Sequence, residues 1–384
     1  MKPLKVVTIL GTRPEIIRLS RVMAMLERYC NHVLVHTGQN YDYELNEVFF
    51  SDLGVRQPNH FLGVDTSSLG ATVGGILIES EKLLAKEKPD AVLILGDTNS
   101  AIAAYIARRM KIPVYHMEAG NRCFDRNVPE ETNRKMVDHL SDFNLVYSEH
   151  ARRNLIAEGL PARRIYITGS PMREVLECYR DEIEGSSILS DLKLEAGSYF
   201  LVSIHREENV DNSSNLTELI NALNQLAKLY DCPVIVSTHP RTRKRLDALG
   251  DVPKDKRIAW LKPFGFHDYN KLQMSAKCVL SDSGTIAEES SILGFAAITP
   301  RFSIERPEAL DTGAIVACGY SASNIIRAVQ TVILQHTGKG ITGSSSFVPN
   351  DYCITNTSQR VVNLIVGTAK LSNQWDGIRE NPSY

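Results

Sequence analysis

The chain has 384 residues and carries 43 Lys and Arg against 45 Asp and Glu, a formal charge of −2. That near-balance disfavours duplex nucleic acid as the main ligand, because no broad basic surface is available to meet a polyanion. At roughly 100–200 residues per domain the length suggests about two domains, and 43% hydrophobic with 23% charged residues is the make-up of an ordinary globular protein. No apolar run approaches the ~20 residues of a membrane-spanning helix. The apolar N-terminal stretch is short and runs straight into Gly11 and a charged helix, the pattern of a buried strand and not of a signal peptide. A cytosolic protein without a membrane partner is expected. The seven cysteines are scattered, odd in number and never in a CxxC pair, and the ten histidines show no HExxH spacing, so neither a disulfide framework nor a metal site is expected.

Short runs rich in Val, Ile and Leu recur at 5–10, 32–37, 91–95, 114–117, 145–148 and 165–168, each followed by a helical pattern. They are continuously apolar and do not alternate, which predicts parallel strands covered on both faces. The series restarts at 199–204, 233–237, 258–261, 279–281 and 296–298. Two α/β units in tandem fit this length better than one very wide sheet. Gly169-Ser170-Pro171 interrupts the pattern after a strand and marks the join, giving a first domain over 1–170 and a second over 171–356. Beyond a Gly/Ser-rich segment at 338–346, an amphipathic stretch at 357–371 is spaced to cross back onto the first domain, followed by a polar tail to 384.

In open parallel sheets ligands bind beyond the carboxyl ends of the strands, and five polar motifs occupy such places. In Gly11-Thr12-Arg13-Pro14-Glu15, glycine permits a tight turn and Pro14 opens a helix, so Arg13 and Arg18 flank a helix N-terminus suited to phosphate. In Gly96-Asp97-Thr98-Asn99-Ser100, Asp97 is either a proton acceptor facing the ligand or a plain helix N-cap. His116-Met117-Glu118-Ala119-Gly120-Asn121-Arg122 places Glu118 after a strand. The following Pro129-Glu130-Glu131-Thr132-Asn133-Arg134 sets Glu130 and Arg134 at i, i+4, with Arg134 a candidate substrate-binding residue, although the spacing also suits a helix-stabilising ion pair. Asp97, Glu118 and Glu130 near one crevice exceed what structure needs, and their repulsion would raise at least one pKa. His205-Arg206-Glu207-Glu208-Asn209 puts an ionisable ring directly beyond a buried strand. Ser281-Asp282-Ser283-Gly284-Thr285 offers backbone N–H groups at Ser283 and Gly284 to a diphosphate, with Glu289 placed to accept from ribose hydroxyls; an ordinary capped helix would use the same groups. GxxxxGK[ST] does not occur. A nucleotide with an attached group, bound in a cleft between two Rossmann-like domains, is the ligand this distribution predicts.

These motifs, together with Glu305-Arg306-Pro307-Glu308, occur in the order and approximate spacing of the non-hydrolysing UDP-N-acetylglucosamine 2-epimerases, and the resemblance covers nearly the whole chain. It implies an α/β architecture of two Rossmann-like domains of the glycosyltransferase-B type, with the active site in the interdomain cleft. It also implies a homodimer and a cofactor-free inversion at C2 of a UDP-2-acetamido sugar. Carried over residue by residue, it implies Asp97, Glu118 and Glu130 as acid/base carboxylates and His205 against the departing diphosphate. Arg13, Ser283 and Gly284 become diphosphate ligands, Glu289 a ribose ligand, Tyr269 the ring against uracil, and Arg306 an arginine of the second domain's side of the cleft. Arg18 stands where typical members carry Lys, which keeps the charge and changes its geometry. The segment His36-Thr37-Gly38-Gln39-Asn40-Tyr41-Asp42-Tyr43-Glu44 departs from the pattern with which bacterial members hold an activating second substrate. With IIRLSR and HMEAGNRCF, the chain most resembles the capsule and O-antigen branch, which converts UDP-2-acetamido-2,6-dideoxy-L-talose into UDP-N-acetyl-L-fucosamine. Plain UDP-GlcNAc/UDP-ManNAc interconversion, a glycosyltransferase on the same fold and a non-catalytic nucleotide-sugar sensor are the rival readings.

Overall fold

The computed structural model describes residues 2–39, 49–250, 255–337 and 348–378. Positions 40–44 of the divergent first-domain segment, the Gly/Ser-rich stretch at 338–346 and the end of the tail at 379–384 lie outside the described residues. The chain divides into two compact units, Met1–Cys178 with Cys353–Tyr384, and Tyr179–Tyr352.

Among the described residues the first unit holds seven strands: β1 (Lys5–Leu10), β2 (Asn31–His36), β3 (His60–Phe61), β4 (Ala91–Leu95), β5 (Val114–Met117), β6 (Phe143–Val146) and β7 (Ile165–Ile167). They pair in parallel in the order β3-β2-β1-β4-β5-β6-β7. The second unit holds β8 (Phe200–Ser203), β9 (Val234–Ser237), β10 (Ile258–Leu261), β11 (Cys278–Ser281), β12 (Ala297–Thr299) and β13 (Val316–Ala317). These too are parallel, in the order β10-β9-β8-β11-β12-β13. The continuous apolar runs have the expected cause. On β8, Phe200 and Val202 join a core with Leu219, Leu223 and Val329, while Leu201 faces the other way into a core with Leu272, Ile286 and Ala309.

Two strands escape the sequence reading, β3 and β13. Each is two residues long and lies at a sheet edge, too short to leave a periodic signal. β6 starts at Phe143 and stops at Val146, earlier than the apolar run suggests, because Ser148 caps the helix Glu149–Ala157. Its hydroxyl oxygen accepts from the Ala151 N–H at 3.4 Å.

The helix Met172–Cys178 stays with the first unit, its Met172, Val175 and Leu176 fully buried, so the crossing falls beyond the Gly169-Ser170-Pro171 interruption. The helix Thr357–Thr368 also belongs to the first unit. Thr357 Oγ1 donates to the carbonyls of Thr168 and Ser170 at 3.1 and 3.2 Å, and at the far end the Thr368 and Tyr115 hydroxyls lie 2.6 Å apart.

Strand order reverses between β1 and β4 in the first unit and between β8 and β11 in the second. Such reversals are where open α/β sheets bind ligands. Residues 11–15, 96–100, 205–209 and 281–285 lie directly beyond the carboxyl ends of these four strands or complete them, and Glu118 follows the next strand, β5.

Candidate active site

In the first unit, Gly96 turns the chain after β4 with φ +72°, a left-handed conformation that glycine adopts at no steric cost. Asp97 follows. Its carboxylate accepts from Arg134 Nε at 3.1 Å and from Arg134 Nη2, and its carbonyl accepts from Asn133 Nδ2 at 3.0 Å. Arg134 and Asn133 both come from the helix Glu130–Leu140. Arg134 Nη1 also donates to Glu131 Oε2 at 2.6 Å, and the same oxygen accepts the Cys123 N–H at 3.2 Å. Arg134 thus bridges Asp97 and Glu131, while Glu130 sits half-buried at the first position of that helix.

Glu118 follows β5 with φ +65°. A non-glycine residue held there costs on the order of 1–3 kcal/mol and is a recurrent feature of functional sites. Its carboxylate pairs with the Arg18 guanidinium, and Asn121 Nδ2 lies 3.4 Å from Oε1. Arg18 is buried on the helix Arg13–Tyr29, which begins beyond β1. Neighbouring strands β4 and β5 therefore each end in a carboxylate, and each carboxylate is held by an arginine from a different helix.

Beneath these groups, Gly11 is crowded: a Cβ there would fall 2.2 Å from both Ser100 Oγ and Thr37 Oγ1. Thr12 and Glu15 have the spacing of a capping box. Glu15 Oε2 accepts from the Thr12 hydroxyl at 2.7 Å and the Gly11 N–H at 3.0 Å, and Oε1 accepts from the Thr98 hydroxyl at 3.3 Å. Burial pushes the Glu15 carboxyl up to about 7, against the opposing pull of those hydrogen bonds. Arg13 lies 5.6 Å from the centre of the Phe49 ring, a cation–π contact.

In the second unit the polar groups gather on Asp282, which has no exposed surface. Both its oxygens accept from the His205 N–H at 3.0 Å; Oδ2 also accepts from the Arg206 N–H at 2.9 Å and from Asn209 Nδ2 at 2.7 Å. His205 Nδ1 lies 3.1 Å from Oδ1, with the ring partly exposed. Burial alone would raise the Asp282 pKa; the His205 charge and these hydrogen bonds outweigh it and hold the carboxyl at about 2. The His205 ring also lies 5.5 Å from that of His239.

Ser283, Gly284, Thr299, Arg301, Glu305 and Arg306 line a shallow open depression. Ser283 and Gly284 thus meet Arg306 at one place, but their surroundings qualify the roles expected of them. The Ser283 N–H donates to Ser281 Oγ at 3.1 Å, and Arg306 Nη1 is 2.6 Å from the fully buried Glu288. Glu289 accepts from Gln273 Nε2 at 2.7 Å. Tyr269, on the helix Phe266–Ser275, hydrogen-bonds with Ser203 and Ser281. Burial and the nearby Glu289 charge raise its phenol well above the ordinary value.

Sequence reasoning passed over Glu15, Asp282, Glu131 and the Arg206 contacts. The capping-box spacing was a readable signal for Glu15. Asp282, within residues 281–285, has the local sequence of an ordinary polar residue at a strand end, and only the return of the loop after β8 shows how many donors it collects. Among the described residues no helix is long and apolar enough to cross a membrane.

Comparison with known proteins agrees with this architecture. Residues 24–366 match the family model described as UDP-N-acetylglucosamine 2-epimerase. The structure of UDP-N-acetylglucosamine 2-epimerase from Rickettsia bellii is similar with a TM-score of 0.89 at 44% identity, over 98% of this chain and all of that one. The UDP-N-acetylglucosamine 2-epimerase of Methanocaldococcus jannaschii is 36% identical over 339 residues, 86% of this chain and 92% of the relative. Its crystal structure in complex with UDP-GlcNAc and UDP gives a TM-score of 0.87 at 34% identity, over 95% of this chain and all of that one. A UDP-2,3-diacetamido-2,3-dideoxy-D-glucuronate 2-epimerase from Pseudomonas aeruginosa is 32% identical over 85% of this chain and 92% of its own length. Two Rossmann-like units of the glycosyltransferase-B kind, their charged motifs at the strand-order reversals, and similarity along nearly the whole chain place this protein in the non-hydrolysing UDP-N-acetylglucosamine 2-epimerase family of isomerases.

Proposed function

We propose that this chain inverts C2 of a UDP-2-acetamido sugar without a cofactor, by anti elimination and re-addition of UDP. The observation that carries the reading is the pair of carboxylates at the ends of adjacent strands, Asp97 after β4 and Glu118 after β5, each anchored by its own arginine. A carboxylate takes the C2 proton while the C1–O bond to UDP breaks; the electron pair forms the C1=C2 double bond of a 2-acetamidoglycal. UDP then re-attacks C1 and C2 takes a proton on its opposite face, so atoms and charge balance over the cycle. Proton transfer on both faces requires more than one positioned acid/base group, a task assigned to Asp97, Glu118 and Glu130. His205 is assigned to the departing diphosphate, where positive charge stabilises the leaving group. Arg13, Ser283 and Gly284 are assigned to the diphosphate, Glu289 to ribose and Tyr269 to uracil. Arg306, on buried Glu288, shapes the depression in which Ser283 and Gly284 lie.

The substrate we propose is UDP-2-acetamido-2,6-dideoxy-L-talose, giving UDP-N-acetyl-L-fucosamine for surface polysaccharide synthesis by a cytoplasmic homodimer. The GTRPEIIRLSR and HMEAGNRCF segments support this choice, and the Pseudomonas aeruginosa relative is named for a sugar other than UDP-N-acetylglucosamine. The names of the Rickettsia bellii and Methanocaldococcus jannaschii relatives favour a second reading, UDP-GlcNAc/UDP-ManNAc interconversion. Incubating the protein with each purified UDP-sugar in heavy water and following C2 by NMR decides among them. The proposal expects deuterium at C2 and inversion of the 6-deoxy sugar. Turnover of UDP-GlcNAc with none of the 6-deoxy sugar would overturn the substrate choice. Binding without exchange for every UDP-2-acetamido sugar would overturn epimerisation in favour of a glycosyltransferase or a sensor.

A further inference from the structure

A separate set of charged residues lies beneath the loops that carry Asp97 and Glu118. The side chains of His116, Arg122 and Asp138 have no exposed surface. His116, on β5, places Nε2 2.8 Å from the Gly96 carbonyl oxygen, an acceptor, so this nitrogen carries the donated hydrogen. Its Nδ1 lies 2.9 Å from Asp138 Oδ1, and Asp138 Oδ2 lies 2.7 Å from Arg122 Nη1. Both Asp138 oxygens also accept from the Gly120 N–H, each at 3.2 Å. One connected set of buried groups therefore grips the chain at the residue before Asp97 and at the second residue after Glu118. The second grip falls on a turn with little freedom. Glu118 and Gly120 both have positive φ, and a Cβ on Gly120 would meet the Ala151 carbonyl oxygen at 2.4 Å. Burying charged groups is expensive, and an apolar contact would join strand to helix at less cost, as Val114 and Val137 do within the same core.

We propose that His116, Asp138 and Arg122 form a positioning triad that sets where the Asp97 and Glu118 carboxylates stand relative to each other. The inference rests on the assignment of those two carboxylates to proton transfer. His116 fixes the Gly96 carbonyl, and with it the start of the Asp97 loop. Asp138 fixes the Gly120 amide, and with it the turn that presents Glu118. Arg122 holds Asp138 in place to do so.

The test compares near-isosteric variants by C2 exchange and turnover of the 6-deoxy UDP-sugar and of UDP-GlcNAc. His116→Leu removes the donor to Gly96 and is expected to lower kcat by about 10- to 100-fold with KM within about threefold, the pattern of misplaced reacting groups. His116→Gln restores a donor to the same carbonyl and is expected to recover most of that loss. Asp138→Asn keeps the shape but weakens the charge-assisted contacts, with an expected loss of about 10-fold in kcat, and it serves where His116→Leu does not fold. A purely stabilising cluster would lower the melting temperature and leave kcat of the folded enzyme unchanged. The proposal is overturned if folded His116→Leu or Asp138→Asn keeps kcat within about twofold of the parent. It is equally overturned if the loss lies in KM alone, or if His116→Gln is as impaired as His116→Leu. Absence of C2 exchange in the parent protein would overturn the epimerase reading and this inference together, whereas normal exchange in the parent with insensitive variants overturns this inference alone.

Discussion

The two units hold charge at their strand-order reversals in opposite ways. In the first, the carboxylates have different partners: Asp97 rests on Arg134, which it shares with Glu131, Glu118 rests on Arg18, and Glu15 lies under the loops on two hydroxyls and an amide. In the second, the donors converge on one carboxylate, Asp282, which ties both ends of the residue 205–209 segment to the end of β11. The difference matches the two tasks proposed for the units. Carboxylates with individual anchors are suited to act one at a time in proton transfer. A single buried hub makes a rigid platform, suited to binding, because one carboxylate holds several points of the loop.

Loss of the hub should therefore strike stability in the second unit and loss of the anchored carboxylates Asp97 and Glu118 turnover in the first, and the two tryptophans allow the stability of each unit to be read separately, Trp260 in the second and Trp375 in the first. The largest effect is expected for Asp282→Ala, which strands three donors and the His205 ring. Removing one partner of a buried charged cluster costs about 3–5 kcal/mol. In a Trp375→Phe background, urea unfolding followed by Trp260 should show this loss; an unchanged midpoint would break the hub half of the comparison.

Next is a pH effect. With the Glu15 carboxyl raised from 4.5 to about 7, its contribution to stability is complete below pH 4.5 and is lost as pH rises through 7, a total of roughly 3 kcal/mol. Glu15→Gln should flatten the dependence of the Trp375-reported midpoint between pH 4.5 and 8, in a Trp260→Phe background. A variant with the same slope as its parent would assign that slope to other groups.

Asp97→Asn, Glu118→Gln and Glu130→Gln are each expected to lower kcat by on the order of 100-fold, equivalent to about 2.7 kcal/mol of barrier, with UDP affinity by calorimetry nearly unchanged. If all three retained near-normal rates, the division between a chemical and a binding unit would fail. The smallest change, about 1 kcal/mol, is expected for the N-cap variant Ser148→Ala. It should move the Trp375 transition and leave that of Trp260 in place, which checks that the two fluorophores report separate units.

Much of the architecture was legible because parallel strands covered on both faces must be apolar without alternation. β1, β4, β5 and β10 coincide with the apolar runs residue for residue. The boundaries that moved did so for local reasons, as where Ser148 was needed as a cap. The motifs were legible too, since polar residues directly after such strands have few purely structural uses. What could not be read was the pairing. Local spacing set Glu130 beside Arg134 but said nothing of Asp97, 37 residues away, to which the structure also carries that guanidinium, along with Glu131. Arg18 meets Glu118 across 100 residues, and Thr98 meets Glu15 across 83. The amino-acid sequence by itself determined where the strands run and which charged residues stand at their carboxyl ends, because burial and chain direction are written in local composition. Only the tertiary structure decided which cation holds which carboxylate, because the order β1-β4-β5 sets those distances and sequence separation does not.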